Sequence, residues 1–358
     1  MKEFWSKRVR DMVPYVPGEQ PKDRKFIKLN TNENPYPPSP KVLEAVKTTA
    51  DDALRLYPDP ECVILRQAIA AHACLNVDQV FCGNGSDEVL AFAFQAFFDK
   101  EYPITFPDIT YSFYEVYVKY FDLTANLIPL NDDFSLPVER FVHEPAGGVV
   151  IANPNAPTGQ AVTLDDLCRI LEGNPEHVVI VDEAYVDFGC DSAVELIGEY
   201  SNLLVIQTAS KSRSLAGLRV GWALGNTNLI AAMRCVRDSI NSYTVDRVAQ
   251  GAAVAAIRDA AYFEQTRRAI MSTREQTLER LKAFGLEGAP SQANFLFARH
   301  PSLPGKTVFQ ALRERGILVR RWDIPRIEDH LRISIGTEEE MDALCAALEE
   351  IVKDLTAK

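Results

Sequence analysis

Between residues 103 and 224 the chain repeats one texture: a short apolar run, an amphipathic stretch, then another apolar run. The runs fall at 103–106, 125–129, 148–152, 177–181, 203–207 and 220–224. Strands that are continuously apolar, not alternating, are buried on both faces. Regular alternation with helical stretches makes them βα units around a mostly parallel sheet. In such sheets ligands bind in the crevice at the carboxyl ends of the strands. The residues that end each run are therefore the first candidates for chemistry.

The rest of the chain is organised around this block. Residues 1–40 are rich in Pro, Asn and charge (LNTNENPYPPSP) and form an arm with no core of its own. Helical periodicity covers 41–54 and 61–74. A long helical pattern runs from 259 to 284, with Gly285 as its stop. After it come strand-like NFLFAR, helix-like TVFQALRERG, strand-like ILVRRW and LRISIG, and a last helix from Thr337. This divides the chain into an arm (1–40), a large α/β domain (41–258) and a small α+β domain (259–358) that the arm completes.

Composition removes several function classes. Of 358 residues, 38 are Lys or Arg and 50 are Asp or Glu, a net charge of −12, with no basic block. Nucleic-acid affinity comes mostly from cations on phosphates, so neither nucleic acid nor an anionic membrane is an expected partner. No apolar stretch reaches the ~18 residues needed to span a bilayer, and the N-terminus has no apolar signal core. Seven cysteines, odd in number and widely spaced (62, 74, 82, 168, 190, 235, 345), argue for reduced thiols and a cytoplasmic location. Five scattered histidines offer no metal cluster.

Four run ends carry the candidate chemistry. In CGNGSDE, Gly85 permits a tight turn, Ser86 is an N-cap, and Asp87 and Glu88 suit a first helical turn; such an N-terminus can hold a phosphate, or be an ordinary capped helix. NPNAPTG (153–159) is a rigid Pro/Asn/Gly loop, or simply a turn. Asp182 ends the run VVIVD with Tyr185 three residues on; it either serves the crevice or caps the next element. Lys211 lies just past the run ending at Gln207, in ASKSRSLAGLR, with Arg219 before the next run. A lone lysine is usually a surface charge. Here Asn, Asp/Tyr and Ser-Lys converge on one sheet edge from three strands, which is the joint signal. A lysine amine can bond a carbonyl cofactor, an acid can keep a pyridine nitrogen protonated, and a helix N-terminus with an arginine can bind a phosphate.

With PYVPG, LNTNENPYPPSP, LYPDP, GNGSDE, PDITYSFY, NPNAPTG, VDEAYVDF, ASKSRSLAGLRVGW, SQANFLF, GILVR and LRISIGT in this order, the chain resembles the fold-type I pyridoxal-phosphate aminotransferases of the aspartate aminotransferase superfamily, and within it the histidinol-phosphate branch. The resemblance implies a three-layer αβα large domain with a mostly parallel sheet. It implies pyridoxal 5'-phosphate as cofactor, and an amino donor and a 2-oxo acid as substrates. It also implies a homodimer with shared active sites. Lys211 would hold the cofactor covalently and shuttle a proton. Asp182 would pair with the pyridine nitrogen and Tyr185 with the phenolic oxygen, and Tyr111 would stack on the ring. Ser86, Asp87, Ser210 and Arg219 would bind the phosphate, and Tyr57 would reach the phosphate in the other subunit. Arg320 and Arg332 would recognise the anionic end of the substrate, and Tyr15 and Asn32 in the arm would close over it.

One departure stands out. Many members of the superfamily carry Asn immediately before Pro-Thr-Gly, bonded to the phenolic oxygen. Here that place is Ala156, so either Asn155, one residue earlier, takes over the bond, which is the expectation, or Tyr185 acts alone. The implied reaction converts L-histidinol phosphate and 2-oxoglutarate to imidazole acetol phosphate and L-glutamate, in histidine biosynthesis. An aromatic amino acid aminotransferase and a threonine-phosphate decarboxylase remain open on the same scaffold. A non-catalytic regulator is disfavoured, because an acidic chain of this length has little room for a nucleic-acid-binding domain.

Overall fold

The computed structural model describes residues 4–10, 12–143 and 147–357. One short strand, β1 (Ile27–Lys28), lies in the arm. Seven strands form the main sheet: β2 (Val80–Gly83), β3 (Ile104–Pro107), β4 (Ala125–Ile128), β5 (Gly148–Ala152), β6 (Val179–Asp182), β7 (Leu203–Thr208) and β8 (Gly221–Gly225). Their spatial order is β2-β8-β7-β6-β5-β3-β4. All neighbours pair in parallel except β8, which is antiparallel to both β7 and β2. The sheet is thus mostly parallel, as the pattern of the chain predicts. The expected run 177–181 shifts to 179–182, so Asp182 is itself the last residue of its strand.

Successive residues of the central strands feed two cores. Val149, Ile151, Val179, Val181, Leu203 and Val205 pack on one face with helices Val63–Ala73, Leu164–Gly173 and Arg247–Arg258. Val150, Ile180, Leu204 and Ile206 pack on the other with helices Gly85–Phe97, Phe113–Tyr120 and Thr227–Ile240. A strand's side chains alternate between faces, so a continuously apolar strand requires a helical layer on each side. The result is the αβα sandwich expected.

The third core lies beyond the sheet. Strands β9 (Glu287–Gly288), β10 (Phe295–Arg299) and β12 (Leu331–Ser334) form a small antiparallel sheet in the order β12-β10-β9. Helices Ala260–Ala283, Gly305–Glu314 and Glu338–Thr356 cover it. Here β1 pairs in parallel with β11 (Ile317–Leu318), and Leu29 enters this core. The arm therefore borrows a core it could not build.

Two local expectations are corrected. The 41–54 helix is Pro40–Thr49, capped by Ser39, followed by a separate 3₁₀ turn at Asp52–Arg55. The helix that follows β2 starts at Gly85 with Asn84 as its N-cap, not Ser86. Gly85 has φ +81, and a Cβ there would run into the Arg219 guanidinium. A Cβ on Gly221 would collide with the Ser86 amide nitrogen. These two glycines let the N-terminus of the helix press against β8. No helix among the described residues is long and apolar enough to cross a membrane.

Candidate active site

Parallel pairing sets Ala152 opposite Asp182, and antiparallel pairing sets Thr208 and Gly83 opposite Gly221. One sheet edge therefore gathers the ends of four strands and the start of the fifth. A cleft of about 190 Å³ opens there. Its lining includes Ser86, Asp87, Tyr111, Asp182, Tyr185, Ser210, Lys211 and Arg219 from the main sheet side, Arg320 and Arg332 from the small sheet side, and Tyr15 from the arm. Eleven of the fourteen expected site residues share this one surface.

Asp182 is 5% exposed. Its Oδ2 accepts a hydrogen bond from the Tyr114 hydroxyl at 2.8 Å and its Oδ1 from the Ala184 N–H at 3.2 Å. Burial pushes its carboxyl up to about 6, while those two bonds and the Lys211 charge pull the other way. Next to it Glu183 is pushed up to about 7 by burial and is held by Ser192 Oγ, Gln207 Nε2 and the Ala193 N–H.

Lys211 follows β7 by three residues. Its Nζ donates to the Thr31 carbonyl at 3.2 Å and stands 5.7 Å from the centroid of the Tyr185 ring. Asn34 Nδ2 donates to the Lys211 and Ser212 carbonyls, so the arm fixes the backbone that carries the lysine. The Tyr185 ring packs edge-on against Phe295.

At one end of the cleft lies an anion cradle. The start of helix Gly85–Phe97 presents backbone N–H groups. Arg219, in a left-handed conformation (φ +53), donates through Nη2 to Asp87 Oδ2 at 2.9 Å. Tyr111 donates to Asp87 Oδ1 at 2.8 Å. Ser210 and Thr208, both buried, share a hydroxyl–hydroxyl bond at 3.0 Å beside them. The Tyr111 phenol is held far above its ordinary range, first by burial and then by the Asp87 carboxylate.

At the other end two arginines face the cleft. Arg320 and Arg332 sit opposite each other in an antiparallel bridge, which sends both side chains to one side. Among the described residues the Arg332 guanidinium donates to the Asn30 carbonyl and stands 5.4 and 5.2 Å from the Phe295 and Trp322 ring centroids. Its Nε is buried and has no hydrogen-bond partner among the described residues. Burial, and the neighbouring Arg320 charge, lower its guanidinium from the ordinary range. Arg320 donates to the Val16 and Pro17 carbonyls. Among the described residues neither arginine has a carboxylate partner, so both can receive an anion from outside.

Three expected residues are placed elsewhere. Asn155 does not take over a bond in the cleft. Its Oδ1 accepts from Thr110 Oγ1, and its Nδ2 donates to the Ile109 carbonyl and Thr158 Oγ1, so it stitches its own loop while Ala156 lines the cleft. Asn32 does not line the cleft either, since its amide is spent on Tyr185 and Ser334. Tyr57 is 77% exposed and stacks on Tyr243 at 4.5 Å, away from this chain's cleft.

Tyr114, Thr208, Asn30 and Thr31 are site residues that the motifs alone did not single out. Thr208 could have been found as the last residue of its strand. Tyr114 could not, because it reaches Asp182 from a helix 68 positions away. Among the described residues no cluster of three or more His, Cys, Asp or Glu could hold a metal ion. The donor set instead suits a flat ring with an anionic arm. By its chemistry the cradle can take such an arm, Asp182 a basic ring nitrogen, Tyr185 a ring oxygen and Lys211 a carbonyl carbon.

Residues 24–348 match the family described as aminotransferase class I and II. The histidinol-phosphate aminotransferase of Acinetobacter baylyi is 54% identical over 348 residues, covering 96% of each chain. That of Clostridium acetobutylicum is 52% identical over 352 residues, covering 98% of this chain and all of the relative. The crystal structure of the Sinorhizobium meliloti histidinol-phosphate aminotransferase in complex with pyridoxal-5'-phosphate superposes with a TM-score of 0.87 at 24% identity, covering 99% of this chain and 98% of that one.

Proposed function

The chain belongs to the class I and II aminotransferases, and from that premise we propose that it moves the amino group of L-histidinol phosphate onto 2-oxoglutarate, giving imidazole acetol phosphate and L-glutamate in histidine biosynthesis, with pyridoxal 5'-phosphate as cofactor. Relatives of that name at 52–54% identity over nearly the full length support the substrate. The observation that carries the reading is the cleft itself: its lining brings a lysine amine and a buried carboxylate together with an anion cradle and a pair of arginines that have no carboxylate partner among the described residues.

Pyridoxal phosphate, when bound, supplies an electron sink for the substrate's α-carbon. Lys211 would hold its aldehyde carbon, and the lysine amine would hold and move the proton at the substrate's α-carbon. Asp182 would keep the ring nitrogen protonated. Its position at a strand end, with Tyr114 and Ala184 as donors, favours the charged form that burial opposes. Tyr185 would donate to the phenolic oxygen and Tyr111 would cover the ring. The N–H groups at Ser86 and Asp87 would bind the phosphate with Ser210 and Arg219; a helix N-terminus contributes about 0.3–2 kcal/mol to such an anion. Arg332 and Arg320 take the substrate's anionic end, a phosphate from the donor and a carboxylate from the acceptor in turn, since a planar guanidinium fork suits both. Tyr15 closes that end.

The same reading includes two domains, 41–258 and 259–358, with the arm 1–40 clasped to the second, and a homodimer in the cytoplasm. Exposed Leu54, Leu56, Tyr57, Ile64, Ile240 and Tyr243 support the dimer. Tyr57 and Tyr243 stack on each other, and Tyr57 would serve the partner's cradle.

A substrate panel tests the function. Histidinol phosphate, phenylalanine, tyrosine, aspartate and threonine phosphate are offered with 2-oxoglutarate, and both glutamate and carbon dioxide are measured. Histidinol phosphate is expected to give the highest kcat/KM. A higher value with tyrosine or phenylalanine, or carbon dioxide release from threonine phosphate, overturns the assignment. The panel is needed because a ring or methylene difference in a pocket is worth only about 1–3 kcal/mol.

A further inference from the structure

The Tyr185 hydroxyl is not free to turn. It accepts a hydrogen bond from Asn32 Nδ2 at 3.0 Å. Asn32 is itself held on every side: it is 1% exposed, and its backbone is left-handed at φ +56. Its N–H donates to Ser334 Oγ at 2.8 Å, and its carbonyl accepts from Asn294 Nδ2 at 3.0 Å. The Ser334 hydroxyl, having accepted that N–H, gives its one proton to Asn32 Oδ1 at 2.8 Å. This fixes which end of the amide faces Tyr185: the oxygen is taken by Ser334, and the NH₂ is left for the phenol.

A phenol that accepts from Asn32 keeps its own proton to give away, and accepting makes that O–H a better donor. The charged groups around the ring do not set its direction. Lys211 lies over the ring face, and Arg332 spends Nη2 on Asn30. Ala156 and Ala184, which line the same cleft, have no polar side-chain group. We propose that Asn32 is a positioning residue that turns the Tyr185 hydroxyl into a one-way donor to the phenolic oxygen of the ring bound in the cleft. Ser334 fixes the polarity of the relay. This rests on the reading that the cleft holds pyridoxal phosphate with its phenolic oxygen at Tyr185. The arm is thereby wired to the chemistry through a side chain that never touches substrate.

The test uses holoenzyme and reads the visible absorption band of the lysine-bound cofactor against pH. A donor to the phenolic oxygen favours its negative form and lowers the pH at which the neighbouring shared proton leaves. Asn32→Gly removes the amide while tolerating the left-handed backbone. The midpoint is expected to rise by about 0.5–1 pH unit, the size of one ordinary hydrogen bond. In a Tyr185→Phe background the same change should move it no further. Ser334→Ala should shift it in the same direction, and it decides the matter alone if Asn32→Gly does not fold. A midpoint that stays, falls, or shifts equally without the Tyr185 hydroxyl overturns the relay while leaving the cofactor assignment intact. A wild-type protein with no such band overturns the cofactor assignment itself, and the relay with it.

Discussion

Removing the Tyr114 hydroxyl should make the stability of the protein depend on pH in a way the wild type does not. In the fold the Asp182 carboxyl is raised from an ordinary 3.8 to about 6, chiefly by burial. The native state therefore holds this proton more tightly than the unfolded chain. The contribution of Asp182 to stability is fully present below about 4 and is lost as pH rises to about 6, a change of roughly 3 kcal/mol. The Tyr114 bond at 2.8 Å is what keeps the folded value from rising further. A hydrogen bond to a charged acceptor is worth about 1.5–3 kcal/mol. The same bond to a neutral acid is worth about 1 kcal/mol, so at about 1.4 kcal/mol per unit the difference raises the carboxyl by a further 0.4–1.5 units, roughly. In Tyr114→Phe the decline should then continue to about pH 6.5–7.5. Urea unfolding of cofactor-free protein at pH 5 and pH 8, at one protein concentration, measures this. The variant should be weaker by about 1 kcal/mol at pH 5, where a neutral acid is the acceptor, and by about 1.5–3 kcal/mol at pH 8. Other titrating groups, Glu183 among them, are common to both proteins and cancel. An equal deficit at the two pH values would show that the Tyr114 bond does not serve the ionised carboxylate, and the reasoning would be refuted.

Lys211→Ala should lose both turnover and the cofactor adduct that borohydride traps on the wild-type chain; near-normal turnover would remove Lys211 from its role. Arg332→Ala should raise KM for donor and acceptor alike by about 10- to 100-fold, as expected for a buried charge partner worth roughly 1.4–3 kcal/mol. Steady-state kinetics with unchanged KM would move the anion site elsewhere. Gly221→Ala pushes a methyl group against the Ser86 amide. It should lower stability by about 1–3 kcal/mol and weaken cofactor retention by displacing the cradle, and fluorescence-monitored cofactor binding equal to wild type would count against the cradle's place.

Much of this was legible in the residues. Continuously apolar runs such as VVIA and LLVIQ require cover on both faces, and the observed sheet has helices on both. The positions of Asp182 and Lys211 follow from strand ends, because a parallel sheet aligns its carboxyl ends whatever the loops do; Arg219 precedes β8 and reaches the same edge because that strand runs antiparallel. What pattern could not supply was the direction of one strand and the partners of single side chains. Nothing local distinguishes β8 from its parallel neighbours, and its reversal is set by pairing to strands on both sides. The motif loop 153–159 marked its place but not its interior. Asn155 turned inward because Thr110 and Ile109, from another segment, complete its hydrogen bonds better than an open cleft would.

The chain's own order of residues therefore determined the layers, the edge at which chemistry gathers, and the amine and acid that meet there. These depend on periodicity and on strand ends, which are properties of neighbours in sequence. Tertiary structure alone decided which donors hold them: Tyr114 on Asp182, Asn32 on Tyr185, and the arm's Thr31 carbonyl on Lys211. The Asn32 and Lys211 contacts join residues more than 150 positions apart. A hydrogen bond depends on a few tenths of an ångström between groups that only the packed cores bring together.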